Sequence, residues 1–218
     1  MQPRPLAFVF DMDGVLVRSE GVHLAAYQAV FARRGISLTA DRYRQLFGRS
    51  REQVIQAVMG QLPPGELERM MAEKGDEVIG VIAERGVDQV AGAKEFVGAV
   101  QALGLPTAVA TSSRTPALFL EAIGLDGAFD VVVGRTQVQD PKPAPEAYLL
   151  AARGLGVPPE SCVVIEDSPL GVTAARRAGA YVVALTTTHG AEALGEAHRV
   201  VDGFASLGDL LHRPPGPR

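Results

Sequence analysis

Five short apolar segments, separated by longer segments with helical periodicity, constrain the fold of this chain more than any other feature. Each is three or four residues long and is bounded by polar or turn-forming residues, a pattern typical of buried strands. Alternating strands and helices predict a parallel sheet covered by helices on both faces, which is a doubly wound α/β fold. The predicted strands are Ala7–Phe10, Thr107–Ala110, Val131–Val133, Val163–Ile165 and Val182–Leu185, and the predicted helices between the last four are Pro116–Ile123, Pro145–Leu155 and Leu170–Ala178.

A long segment between the first two predicted strands breaks this alternation. Its apolar residues recur at helical spacing, so it is predicted to form a helical insertion rather than part of the sheet. We expect residues 1–17 and 89–218 to form an α/β core domain and residues 18–88 to form an inserted α-helical cap domain. An insertion directly after the first strand is expected to overhang the carboxyl edge of the sheet, where it could act as a lid. The helices predicted in and after the insertion are Val22–Arg34, Glu52–Met59, Glu66–Ile82 and Ala93–Leu103.

The composition argues against several classes of partner. A net charge of −4 disfavours nucleic acid as the main partner, because phosphate backbones select basic surfaces. The apolar run Leu6–Phe10 is too short for a signal peptide, and no uninterrupted apolar stretch reaches the roughly 18 residues of a membrane span. The single cysteine, Cys162, cannot form an internal disulfide and is compatible with a reducing compartment. We expect a cytoplasmic monomer without nucleic-acid or membrane partners, and a disordered proline-rich tail at Arg213–Arg218.

Polar residues with complementary chemistry follow four of the five predicted strands. An acid pair follows the first strand, a hydroxyl the second, a lysine lies after the third, and another acid pair follows the fourth. Because the carboxyl ends of parallel strands meet at one edge of a sheet, these groups are expected to converge. Singly, each also fits a structural role as a turn residue, a helix cap or a solvated loop charge. The residues are Asp11 and Asp13 (with Gly14), Thr111, Lys142, and Glu166 with Asp167.

Together these motifs resemble those of the haloacid-dehalogenase (HAD) superfamily. The segment Asp11-Met12-Asp13-Gly14-Val15-Leu16 is similar to the first motif, Thr111 to the second, Lys142 to the third, and Glu166-Asp167 to the fourth. Within the superfamily, the chain most resembles β-phosphoglucomutase and the sugar-phosphate phosphatases. The resemblance extends over nearly the whole chain and implies a Rossmann-like HAD core whose helical insertion is a small cap of the C1 type.

The resemblance implies covalent phosphoryl transfer that depends on Mg²⁺. Asp11 would accept the phosphoryl group, and Asp13 would act first as general acid and then as general base. The Asp11 carboxylate, the Asp13 backbone carbonyl and the Asp167 carboxylate would bind Mg²⁺, with Glu166 as a direct or outer contributor.

The other two motifs are implied to stabilise the phosphoryl group. Thr111 and the backbone of Ser112 would donate hydrogen bonds to phosphoryl oxygens, while Lys142 would offset negative charge on the phosphoryl group and Asp11. The resemblance also implies a cis peptide bond between Lys142 and Pro143.

Substrate contacts are implied in the insertion and beside Thr111. By resemblance to phosphoglucomutase, Arg51 would bind a second, non-reacting phosphate, for which the guanidinium geometry is well suited. An ordinary surface charge at Arg51 and a packing role for His23 remain open alternatives. The further residues matched to this task are Lys74 and His23 in the insertion, and Ser113 and Arg114 in the core.

These residues support one main function and leave two alternatives open. The main hypothesis is a Mg²⁺-dependent phosphatase that hydrolyses small phosphorylated metabolites, sugar phosphates among them. A phosphomutase of the β-phosphoglucomutase type would instead return the phosphoryl group from the aspartate to the sugar. A phospho-accepting signalling module is less favoured, because such modules carry the acceptor on a middle strand and lack a helical insertion. Arg18 stands where relatives with this first motif usually have aspartate, which bears on substrate choice.

Overall fold

The computed structural model describes residues 5–46 and 49–211, and these contain a six-stranded sheet in which every pairing is parallel. The predicted doubly wound α/β fold is confirmed, and all five predicted strands are present. A sixth strand was not predicted, because it has only three residues, all half-buried at the sheet edge. The strands are β1 (Ala7–Phe10), β2 (Thr107–Ala110), β3 (Val131–Val133), β4 (Cys162–Glu166), β5 (Tyr181–Leu185) and β6 (Arg199–Val201).

The order of the strands reverses beside β1. The sheet runs β3-β2-β1-β4-β5-β6, so the chain moves outward in one direction through β2 and β3 and in the other through β5 and β6. Ligands of such sheets bind outside the carboxyl ends of the strands where the direction reverses, which here is between β1 and β4. In this register Phe10 is paired with both Val109 and Ile165, so Asp11 emerges at this reversal point.

The chain divides into two compact units, one that ends at Arg18 and resumes at Asp88, and a second formed by Ser19–Val87. The second unit is entirely helical in its described residues. Its helix α2 was not predicted, because five residues are too few to show a helical period; Thr39 caps it by accepting a hydrogen bond from the backbone of Arg42. The helices are α1 (Glu20–Ala32), α2 (Ala40–Arg44), α3 (Arg51–Met59) and α4 (Glu66–Arg85).

Helices α1 and α4 form the centre of the Ser19–Val87 unit. Tyr27 and Phe31 of α1 are stacked with ring centroids 5.8 Å apart inside its apolar cluster. Just after α1, Arg34 forms hydrogen bonds with both carboxylate oxygens of Glu73 at 2.8 and 2.9 Å and an ion pair with Glu66 at 2.7 Å. The unit therefore has its own apolar core and its own ion-pair network.

Helices cover both faces of the sheet. The side chains of β1 point alternately to the two faces and pack against helices on each. Phe8 and Phe10 contact Phe96 on one face, with ring centroids 5.7 and 6.2 Å apart. On the other face, Ala7 and Val9 belong to the apolar cluster that includes residues of α7 and α8. The helices of this unit are α5 (Ala93–Ala102), α6 (Pro116–Ala122), α7 (Glu146–Gly154) and α8 (Pro169–Arg177), followed by a 3₁₀ helix at Phe204–Leu211.

The predicted disorder of the tail Arg213–Arg218 lies outside the described residues. Within residues 5–46 and 49–211, no helix is both long enough and apolar enough to cross a membrane.

Candidate active site

The acidic residues after β1 and at the end of β4 lie together at the carboxyl edge of the sheet. The backbone N–H of Asp11 donates to the carbonyl of Ile165 at 2.9 Å, which joins the first turn after β1 to β4. Asp11, Glu166 and Asp167 each offer a carboxylate oxygen, and these oxygens all lie within 4.8 Å of one another. The hydroxyl of Thr111, directly after β2, donates to Asp13 Oδ2 at 3.4 Å.

Lys142 connects the two acidic segments. Its ammonium donates to Asp11 Oδ1, to Glu166 Oε1 at 2.8 Å and to the carbonyl of Ala110 at 3.1 Å. These three acceptors match the three donors of an ammonium group. The side chain is only 8 % exposed, so Lys142 is a buried part of the site and not a solvated loop charge. The bond between Lys142 and Pro143 is cis, as the resemblance implied.

Glu166 is completely buried and accepts five hydrogen bonds from the described residues. Its Oε1 accepts from Lys142 and from the hydroxyl of Tyr148, the latter at 2.6 Å. Its Oε2 accepts from the backbone of Asp167 at 2.8 Å and from the backbone and hydroxyl of Ser168 at 2.9 and 3.0 Å. The cap of α8 is Ser168, whose hydroxyl oxygen accepts from the backbone of Gly171. The acid pair therefore does not serve as the helix cap.

The loop after β5 completes this edge of the sheet. The hydroxyl of Thr188 donates to Asp167 Oδ2, and the hydroxyl of Thr187 donates to the carbonyl of Gly14 at 2.6 Å. Gly14 has φ +80°, and a Cβ there would overlap the Asp167 carboxylate. Glycine is therefore required at this position both for the backbone conformation and for the close approach of Asp167.

Burial and crowding set the charges of the site. Burial raises the pKa of Asp11 to about 8; Lys142 opposes this shift, whereas Glu166 and Asp13 add to it. Burial also raises the pKa of Asp167 well above its usual range, with further increases from Glu166 and Asp11. For Glu166, burial acts in the same direction, but Lys142 and the hydrogen bonds from Tyr148 and the Ser168 backbone overcome it and lower its pKa.

The donor set of this edge fits a hard divalent cation. Lys142 supplies one positive charge to a cluster with three carboxylates, so negative charge is in excess when all three are ionised. Carboxylate oxygens are the ligands that Mg²⁺ prefers, and a cation would favour the ionised forms of Asp11 and Asp167. The site can therefore present a carboxylate nucleophile, a second acid for proton transfer and ligands for a metal ion.

Comparison with known proteins decides the family. The family model of the haloacid dehalogenase-like hydrolases matches residues 5–179. The chain belongs to this family. The family assignment drawn from the four motifs is thereby confirmed.

Relatives of this haloacid dehalogenase-like hydrolase cover most of its length. It is 33 % identical over 193 residues to the validoxylamine A 7'-phosphate phosphatase of Streptomyces hygroscopicus subsp. limoneus, covering 87 % of this chain and 89 % of the relative. It is 35 % identical over 176 residues to the phosphorylated carbohydrates phosphatase of Thermotoga maritima, covering 79 % and 81 %. A solved structure of a CbbY mutant from Rhodobacter sphaeroides, in complex with xylulose-(1,5)bisphosphate, matches with TM-score 0.84, 28 % identity, and coverage of 95 % and 97 %.

Three of the residues predicted to contact substrate lie within the Ser19–Val87 unit of the hydrolase. Lys74 of α4 is 4 % exposed; its ammonium lies 3.0 Å from Nδ1 of His23 and 5.0 Å from the ring centroid of Tyr27. Arg51, the first residue of α3, is half-buried and donates to the carbonyl of Met71 at 2.6 Å. His23 and Lys74 are thus brought together, and their role toward substrate stays a prediction.

The other predicted contacts lie after β2. Ser113 donates its backbone N–H to the Thr111 hydroxyl at 3.0 Å, whereas the side chains of Ser112 and Arg114 are exposed. Arg18 is also exposed, and its backbone N–H donates to the carbonyl of Asp88 at 2.8 Å.

Several residues of the site were missed by the sequence analysis. Thr187 and Thr188 follow the fifth predicted strand, so the rule that identified the other strand ends could also have identified them. For Tyr148 and Gly171 no such signal exists, because both lie within helices and their contact with the Glu166 carboxylate becomes apparent only in the fold. A buried tyrosine has the same sequence pattern as any apolar helix position.

Proposed function

We propose that this hydrolase is a Mg²⁺-dependent phosphatase of small phosphorylated metabolites, with sugar phosphates as the substrate class. The observation that carries the proposal is the cluster at the carboxyl edge: the Asp11 carboxylate lies within 4.8 Å of the Asp167 and Glu166 carboxylates and is bonded to the Lys142 ammonium. The substrate class is supported by the phosphorylated-carbohydrate phosphatase and the CbbY complex with a doubly phosphorylated sugar.

Asp11 is the phosphoryl acceptor in this proposal. One of its carboxylate oxygens is held by Lys142, which leaves the other oxygen to attack phosphorus and form an aspartyl-phosphate. Burial raises the pKa of Asp11 to about 8 and so disfavours the ionised nucleophile, whereas the Lys142 ammonium favours the ionised form. Bound Mg²⁺ would supply further positive charge to the carboxylates and to the phosphoryl oxygens.

Asp13 transfers the protons. It would protonate the leaving alkoxide of the ester and later accept a proton from the water that hydrolyses the aspartyl-phosphate. The hydroxyl of Thr111, which donates to Asp13 Oδ2, would orient this carboxylate. General acid–base catalysis typically contributes about 10²–10⁴ in rate, so Asp13→Asn is expected to lower kcat by at least about a hundredfold.

The hydrogen bonds of Glu166 favour an outer role for this residue toward the metal ion. A carboxylate has roughly four lone-pair sites, and Glu166 already accepts five hydrogen bonds. We therefore assign Asp11 and Asp167, with the backbone carbonyl of Asp13, as the direct ligands. Glu166 acts outside this set by holding Lys142 and the backbone of Asp167.

The Ser19–Val87 unit is proposed to be a cap that selects the substrate. Its buried Lys74 has its ammonium 3.0 Å from Nδ1 of His23, which brings together two of the residues that the resemblance to phosphoglucomutase matches to substrate binding. Arg51 is proposed to bind a second phosphate or a sugar oxygen. Arg51→Ala should therefore raise KM for sugar phosphates more than for small aryl phosphates.

An activity panel tests the proposal. Wild-type protein with Mg²⁺ is assayed against phosphorylated metabolites, including β-glucose 1-phosphate and glucose 6-phosphate, with both phosphate release and isomerisation recorded. We expect phosphate release from at least one sugar phosphate, no isomerisation, and loss of activity with EDTA. Isomerisation of β-glucose 1-phosphate without phosphate release would identify a phosphomutase instead. A stable phosphoprotein without turnover of any ester would identify a signalling module.

A further inference from the structure

Tyr148 contacts Lys142 and Glu166, two charged residues that lie beside the proposed nucleophile Asp11. It lies in α7, is 1 % exposed and belongs to the apolar cluster beneath the sheet. Its hydroxyl donates to Glu166 Oε1 at 2.6 Å, and its ring centroid lies 4.8 Å from the Lys142 ammonium. A single side chain thus combines a hydrogen bond to the anion with a cation–π contact to the cation.

We propose that Tyr148 is a positioning residue of the hydrolase, which fixes the Lys142 ammonium and the Glu166 carboxylate so that Lys142 remains bonded to Asp11. The inference rests on the proposed phosphatase function for its catalytic consequence.

Tyr148 and Lys142 donate to the same oxygen of Glu166. Oε1 of Glu166 accepts from Tyr148 and from Lys142, whose other acceptors are Asp11 Oδ1 and the carbonyl of Ala110. Without the hydroxyl, Lys142 would be the remaining donor to Oε1 among these contacts, and the ammonium would be drawn toward Glu166. Its bond to Asp11 would then lengthen. The hydroxyl therefore governs how the positive charge of Lys142 is divided between two carboxylates.

The burial of the hydroxyl supports a specific role. A buried hydroxyl costs free energy unless it is hydrogen-bonded, and a phenyl ring would fill the same apolar space without that cost. Ala151 and Val164, which belong to the same cluster, have apolar side chains that cannot form a hydrogen bond with this hydroxyl. The hydroxyl is therefore explained by its bond to Glu166 and not by packing.

The first experiment compares Tyr148→Phe with a matched control. Tyr181→Phe makes the same chemical change in the same unit, but at the first residue of β5, the end of the strand opposite the site. Because a hydrogen bond to a charged group is strong, we expect kcat of Tyr148→Phe to fall about tenfold with KM nearly unchanged, and thermal unfolding to remain cooperative with a Tm lowered by several degrees. Tyr181→Phe should retain wild-type kcat. A Tyr148→Leu variant, which also removes the ring beneath Lys142, should lose more activity than Tyr148→Phe.

A second experiment tests whether the hydroxyl acts through Glu166. In a Glu166→Gln background, Tyr148→Phe should cause little further loss of kcat, because the shared acceptor has lost its charge. An equal, additive loss in both backgrounds would overturn the proposal, as would full kcat in Tyr148→Phe. Failure of Tyr148→Phe to unfold cooperatively would assign the hydroxyl to stability alone and would likewise overturn it.

A third measurement does not depend on activity. In protein labelled with ¹⁵N-lysine, the buried ammonium of Lys142 should give a protected NMR signal that changes in Tyr148→Phe and not in Tyr181→Phe. An unchanged signal in Tyr148→Phe would contradict the proposal even for a protein inactive on every ester tested. Inactivity of the wild-type protein, in contrast, would contradict the proposed phosphatase function and leave this readout valid.

Discussion

Gly171→Ala should displace the buried carboxylate of Glu166. Gly171 lies in the first turn of α8, and an ideal Cβ there would overlap the Cδ and both carboxylate oxygens of Glu166, nearer than the 3.0 Å that real Cβ atoms observe. The carboxylate cannot simply rotate away, because Lys142, Tyr148 and the segment after β4 hold it with five hydrogen bonds. The substitution therefore acts on the centre of the site without changing any proposed catalytic residue.

The expected cost follows from these hydrogen bonds. Each hydrogen bond to a charged group contributes about 1.5–3 kcal/mol, so the net loss of two of them costs roughly 3–6 kcal/mol. Replacing glycine by alanine in a helix recovers up to about 1 kcal/mol. We expect the free energy of unfolding to fall by about 3 kcal/mol, which corresponds to a decrease in Tm of roughly 6–12 °C for a chain of this size.

The assay compares this variant with a control at Gly98. Gly98 lies in α5, is exposed, and an added Cβ would meet nothing within 4 Å. Gly98→Ala should therefore keep or slightly increase the stability and leave kcat unchanged. Gly171→Ala should lower Tm in thermal unfolding and lower kcat at least about tenfold, since Lys142 loses the partner that holds it beside Asp11.

A wild-type phenotype of Gly171→Ala would contradict the position of the Glu166 carboxylate. If Gly171→Ala has the Tm and kcat of wild type, then the Glu166 carboxylate does not lie against the first turn of α8. The hydrogen-bond network around Lys142 would then have to be rejected, together with the positioning role of Tyr148.

Three further predictions concern the nucleophile, the metal and the Ser19–Val87 unit. Asp11→Asn should abolish phosphate release while retaining cooperative thermal unfolding, and turnover near the wild-type rate would exclude covalent catalysis at this residue. EDTA should stop phosphate release and added Mg²⁺ should restore it; unchanged rates with EDTA would remove the metal from the mechanism. Arg34→Met should destabilise the protein at pH 7 in urea unfolding, with Arg44→Met as an exposed control. Hydrogen bonds from Arg34 lower the pKa of Glu66 and Glu73, so the stabilisation is present above their ordinary value of 4.5 and is lost as the pH falls through their depressed pKa. A stability difference between wild type and Arg34→Met that grows on acidification would contradict this sign.

Local sequence patterns were sufficient to predict the sheet, its parallel direction and the edge at which the site residues lie. Short apolar runs and apolar residues at helical spacing are local signals, and parallel strands place their carboxyl ends on one edge whatever the details of packing. For that reason Asp11, Thr111, Lys142 and the acid pair at the end of β4 could be assigned to one site from their positions after successive strands. The short half-buried β6 and the five-residue α2 lacked enough residues to show a period.

The side chains that hold the site in place could not be predicted from these local signals. The Tyr148 hydroxyl that donates to Glu166, the Tyr148 ring beside Lys142 and the Thr188 hydroxyl that donates to Asp167 each join residues from different segments of the chain. The space that α8 leaves for the carboxylate at Gly171 is likewise visible only after folding. The physical reason is that a periodic pattern specifies which face of an element is buried, whereas the partner of a buried polar atom depends on the rotamers and register of elements far apart in the chain.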